Sequence, residues 1–188
     1  GFPTYQSIFR ERRATTPGSR MLRAAVLAAV LSGPFAILGA LIGTGGALSV
    51  VFLVVVMAPL IEEMLKVAGP LYLAEVRPWL VPSAISLVLI AVCSGLVFAA
   101  IENVFYLEVI IADPTPEIIR WRWTFGPLVH GTGSLVAGTG VARMWHFLDV
   151  HNRRPDFKMA APWIVAAALL HGGYNLFAVW LELFGGGI

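Results

Sequence analysis

Cysteine is almost absent from this chain. Cys93 stands alone within an apolar run, which excludes disulfides and cysteine-based zinc sites. Charge is scarce as well: 13% of the 188 residues are charged, where a soluble domain carries about 25%. No His-Glu-x-x-His stretch occurs, so any histidine-and-carboxylate metal site would have to be assembled from several helices. No clear internal repeat and no low-complexity tract is visible. The first twenty residues hold no apolar core segment, which argues against a signal peptide.

Apolar residues fill the gap. They make up 58% of the chain, with a mean hydropathy of +0.81. A core of this size cannot hide that excess, so lipid must be the solvent for much of the surface. The formal charge of +2 and pI near 9.0 do not point to nucleic acid, because the basic residues flank apolar runs.

A membrane helix needs about 20 mostly apolar residues. Five segments qualify: Met21–Ile42, Ala47–Leu73, Pro82–Ile111, Thr124–Trp145 and Met159–Phe184. The breaks between them carry Gly43-Thr44-Gly45-Gly46, Arg77-Pro78, Asp113-Pro114-Thr115-Pro116 and Arg153-Arg154-Pro155-Asp156. Tryptophans sit near the ends, as an interfacial belt would place them. The expected fold is all-α: a polytopic transmembrane helical bundle of about five membrane-spanning helices. Residues 1–20 form a basic cytoplasmic segment and residues 21–188 the membrane domain. Lys and Arg concentrate on the side of the N-terminal segment, Arg77, Arg143, Arg153, Arg154 and Lys158, against only Arg120 and Arg122 opposite. The positive-inside rule then puts the N-terminus in the cytoplasm and, after five crossings, the C-terminus outside.

Ionisable groups inside the spans are the informative exceptions. Each charged residue at the bilayer centre costs roughly 2.5–3.5 kcal/mol, so three unpaired glutamates would cost roughly 8–10 kcal/mol. Neutralisation, pairing or a metal is implied. The second span carries Glu62, Glu63 and Lys66, the third Glu102, Asn103 and Tyr106, the fourth His130, and the fifth His171 and Asn175. Residues four apart share a helix face, which stacks Glu62 on Lys66, Glu102 on Tyr106 and His171 on Asn175. Glu62 and Glu63 point about 100° apart, which leaves one of them facing a given site. Lys66 is the expected neutraliser of a carboxylate. Pro59 removes a backbone hydrogen bond beside the pair and can kink that helix. Small residues from Gly131 to Gly140 recur at four-residue spacing and allow close helix approach in the fourth span.

One chemistry these groups are consistent with is peptide hydrolysis, which needs an activated water, a base and stabilisation of an oxyanion. Glu62 can take the proton, and His171 and Asn175 can direct donors at the oxyanion. In a metal version, His130, His171 and Glu102 (or Glu62) bind Zn²⁺ and leave one position open. In a metal-free version, Glu62 and a histidine activate water directly. A different class of function also suits buried Glu and His: proton- or ion-coupled transport, or a non-catalytic membrane scaffold.

Taken in order, Glu62-Glu63-x-x-Lys66, Phe98-x-x-x-Glu102-Asn103-x-x-Tyr106, His130 and His171-x-x-x-Asn175 resemble the PrsW family of intramembrane proteases. That family is related to the wider CAAX-protease and bacteriocin-processing superfamily. The resemblance implies that residues 21–188 are a protease domain in a bacterial inner membrane. It also implies site-1-type cleavage of membrane proteins such as a single-pass anti-sigma factor. The site residues it implies are Glu62, Glu63, Glu102, His130, His171 and Asn175, with Glu62 activating water. Glu102 stands where the CAAX-protease branch has a histidine, which separates this chain from processing of prenylated substrates.

Overall fold

The computed structural model describes residues 4–40 and 51–184. The Gly43–Gly46 turn and the adjoining span ends at Ile42 and Ala47 lie outside the described residues. Helix α1 runs over Tyr5–Thr15, capped by the Thr4 hydroxyl, which accepts from the Ser7 amide. Helix α2 covers Gly18–Ala40. The second span is divided: a π-helical turn at Leu53–Met57, α3 over Ala58–Lys66 and α4 over Ala68–Val76. Helix α5 spans Ala84–Phe105 and ends in a second π-helical turn at Tyr106–Ile110. Helix α6 occupies Pro116–His151 and α7 Ala161–Phe184. No strand occurs among the described residues.

The protein is an all-α membrane bundle. By length and apolarity alone, two helical stretches among the described residues qualify as spans, Ala84–Ile110 and Ala161–Leu181. The burial pattern extends the reading to the whole bundle. Leu169, Leu183 and Val109 are each about two-thirds exposed or more, while Glu63 and Lys66 are completely buried. In water that distribution would be inverted. In lipid it is the expected one.

Helix α6 is longer than the Thr124–Trp145 segment expected from apolarity. Its 36 residues reach about 54 Å at 1.5 Å per residue, well beyond a hydrocarbon core of ~30 Å. Both ends therefore stand in the interfaces. Thr115 caps the first turn, Pro116 takes the position where its missing N–H costs nothing, and Asn152 ends the helix in the left-handed conformation at φ 54°.

Helices α5 and α6 form the most extensive pair, with α2 on the other side of α5, α7 on the other side of α6, and α3 between α2 and α7. Small residues bring α5 and α6 together. A Cβ on Gly138 would sit 2.6 Å from that of Ala91, and one on Gly95 would overlap the Ser134 side chain. At one end of the bundle the interior is apolar, with Val67, Leu87, Val141, Met144, Leu148 and Ile164. The other end holds the polar groups.

The break at Val67 is tied to α2. Ser32 Oγ accepts the Gly69 amide at 2.8 Å and donates to the Ala28 carbonyl at 2.7 Å. Helix α1 lies against the apolar end through buried Phe9. Its Arg12 rests over the Trp79 ring at 4.6 Å, and Arg13 rests over Trp145 while pairing with Asp149.

Candidate active site

Four helices deliver the polar side chains to one buried cluster. Helix α3 provides Glu62 and Glu63 one turn after Pro59 and Lys66 a turn later, all buried. Proline cannot donate to Val55 four residues earlier, and the π-helical turn just before it accommodates the loss. The irregular backbone is held from α7. Asn175 Nδ2 donates to the Val54 carbonyl at 2.9 Å, and Gly172 packs so close to the Val55 carbonyl that a Cβ there would overlap it.

Lys66 is the hub. Its Nζ donates to Glu63 Oε1 at 2.7 Å and to His130 Nδ1 at 2.7 Å, lies 3.7 Å from Glu62 Oε2, and sits 4.2 Å from the centre of the Phe98 ring. An ammonium only donates, so His130 Nδ1 accepts and Nε2 carries the ring proton. That proton goes to Glu102 Oε2 at 2.9 Å. His171 Nδ1 bonds Glu63 Oε1 at 3.1 Å and lies 3.8 Å from Glu62 Oε2. The carboxylate accepts, which leaves Nε2 of His171 as the lone-pair nitrogen. The two imidazoles meet edge to face with centroids 4.6 Å apart.

Both adjacent glutamates reach the centre, although a helix directs them apart. Glu63 is held through Oε1, and Gly133 leaves room for its carboxylate: a Cβ there would be 3.0 Å from Oε2. Glu62 Oε2 accepts no hydrogen bond, yet both Lys66 and His171 lie within 4 Å of it. Long side chains converge where the backbone directions alone do not.

Glu102 is further secured from outside. Arg122 Nη2 donates to its Oε2 at 3.2 Å, and the guanidinium lies 3.9 Å above the Tyr106 ring. Asn103, completely buried, donates to the Arg122 carbonyl at 2.9 Å. Arg122 looks in sequence like an interfacial flank. Its only distinguishing signal is that it and Arg120 are the two basic residues on a side where no other was expected. Tyr106 lies under Arg122, where its spacing had placed it only beside Glu102.

Of the residues singled out by sequence, Glu62, Glu63, Glu102, His130 and His171 thus fall in one connected cluster. Asn175 lies beside it, with its amide directed at backbone. His146 and His151 are exposed on the last turns of α6.

Glu62, His130 and His171 each offer a donor atom, and the three atoms lie within 4.8 Å of one another. Two histidines and one glutamate are a zinc-type donor set. Each imidazole also has a carboxylate on one ring nitrogen, Glu102 on His130 and Glu63 on His171. Metal-ligating histidines are held in this way, with the second nitrogen turned to the ion. The residues present therefore fit a metal ion, and Glu102 stands behind His130.

The model of one protein family, described as "PrsW family intramembrane metalloprotease", matches residues 16–187. No curated protein and no solved structure matches the chain.

Proposed function

Since the chain belongs to the PrsW family of intramembrane metalloproteases, we propose that it hydrolyses peptide bonds of membrane-protein substrates at the Glu62–His130–His171 cluster. The observation that carries this reading is the convergence of those three donors, from three helices, to within 4.8 Å. Single-pass proteins of the anti-sigma-factor kind are the substrate class, and a bacterial inner membrane is the location. Both rest on family resemblance.

Glu62 is the base. Its Oε2 is free of hydrogen bonds, so it can accept a proton from a water as the oxygen attacks the scissile carbonyl carbon. It returns that proton to the amine nitrogen as the C–N bond breaks. Lys66, 3.7 Å from Glu62 Oε2, is the buried positive charge beside that base and can oppose the charge of an oxyanion formed there in a medium of low dielectric. Glu63 and Glu102 hold His171 and His130 in fixed tautomers. Glu62, His130 and His171 would hold a metal, Zn²⁺ by donor type, which when bound polarises the carbonyl and acidifies its water.

Reconstitution with a single-pass substrate tests the reading. Glu62→Gln and His171→Ala should each lower cleavage by about 10²-fold or more. Parental rates in either variant would sink the assignment. Cleavage lost in chelator and restored by Zn²⁺ supports the metal form, whereas full activity in protein verified as metal-free removes it.

A further inference from the structure

We propose that Lys66 is a tethered cation seated where the metal would bind, so that lysine and metal exclude one another and Lys66 governs how tightly the site loads. The proposal rests on Glu62, His130 and His171 being the metal-binding set.

A bond from His130 to a metal must use one ring nitrogen. Nε2 is committed to Glu102, and that carboxylate is itself fixed by Arg122. This is the arrangement expected on the side of the ring away from an ion. Nδ1 is therefore the ligating nitrogen, and Lys66 holds it at 2.7 Å. The same ammonium lies 3.7 Å from Glu62 Oε2. Two of the three donors thus already face a positive charge.

A divalent ion cannot share that position. An ammonium proton occupies the lone pair the metal needs, and two like charges at that distance repel strongly in a buried setting. Lys66 has somewhere to go. Its bond to Glu63 Oε1 at 2.7 Å and its seat on the Phe98 ring at 4.2 Å involve neither His130 nor Glu62. A flexible four-carbon stem can give up the histidine and the ring and move outward while still pairing with Glu63. Loading is then an exchange of one cation for another, and the carboxylates are never left unneutralised in lipid.

The test uses the full chain in lipid nanodiscs, stripped of metal and titrated with Co²⁺, whose visible bands report coordination, with Zn²⁺ as competitor. Lys66→Met should bind Co²⁺ about tenfold more tightly than the parent, or better. Lys66→Met/His171→Ala should lose that gain. Equal affinity in parent and Lys66→Met overturns the proposal, as does a gain that survives His171→Ala.

Should Lys66→Met not fold, the parent itself answers. Lys66 and Lys158 are the only lysines, and Lys158 is exposed. Amine labelling of Lys66 relative to Lys158 should rise several-fold with Zn²⁺ in the parent and stay constant in His171→Ala. A constant ratio in the parent counts against the exchange. Cleavage by a parent whose site binds no metal in any variant overturns the exchange and leaves the protease reading standing. An inactive parent that still shows the exchange has the opposite meaning.

Discussion

One oxygen of Glu102 accepts from two donors, His130 Nε2 at 2.9 Å and Arg122 Nη2 at 3.2 Å. The first contact sets the imidazole, and the second keeps the carboxylate from turning away. Arg122 touches no reacting group and acts through Glu102, so it is a positioning residue. Arg122→Gln should lower kcat by about 10- to 100-fold with KM close to the parent. Arg122→Lys should recover part of the loss, because one charged donor remains. A change confined to KM, or equal activity in the Gln and Lys variants, would contradict that role. The carboxylates and imidazoles were legible in the sequence because each is costly in lipid and needs a reason. Arg122 was not, because an arginine at a span end is ordinary. Which nitrogen of His130 faces which partner was equally hidden, since spacing along a helix does not report on contacts between helices.

At the scale of elements, the interrupted second span matters most. Pro59 announced a disturbance. The π-helical turn at Leu53–Met57 and the break at Val67 did not show in the apolar pattern, which runs through both. Such a backbone exposes carbonyls that lipid cannot satisfy, so protein must cover them. Helix α7 does this with Asn175, one turn on from His171, bonded to Val54 and with Gly172, next to His171, packed against Val55. The His-x-x-x-Asn spacing therefore joins a site histidine to a backbone clamp. Asn175→Ala leaves the Val54 carbonyl without its partner and should cost about 1–3 kcal/mol. Gly172→Ala forces a methyl onto the Val55 carbonyl at a similar cost of about 1–3 kcal/mol. Thermal unfolding in detergent should show both losses, and cleavage should fall with them because α3 carries Glu62. Unchanged melting in either variant would remove the clamp. Helix α6 was underestimated for a plain reason: its charged end turns look like loop, yet Thr115 and Pro116 start it and Asn152 stops it.

On the scale of the whole molecule, the site has a polarity along the bundle. Glu102, Asn103, Tyr106 and the first turns of α6 gather at the end with Arg120 and Arg122. The apolar interior, Trp145 and α1 occupy the end with Arg143, Arg154 and Lys158. His130 follows Arg122 by eight residues, which places it about 12 Å deeper along α6 at 1.5 Å per residue. The cluster is thus nearer the Arg120 end than the end carrying most of the basic residues. The positive-inside rule predicts that the latter faces the cytoplasm and, with it, that a substrate is cut toward the outer leaflet. Labelling with a membrane-impermeant maleimide checks this directly. Cys93, the sole native thiol, is first replaced by alanine. Arg120→Cys should then react in intact cells, and Arg154→Cys only after the membrane is opened. The reverse pattern would turn the bundle over, bring the cluster toward the cytoplasmic leaflet and remove the basis for site-1-type cleavage. The hydrolytic geometry would be untouched, because it depends on four helices meeting and not on which way they point.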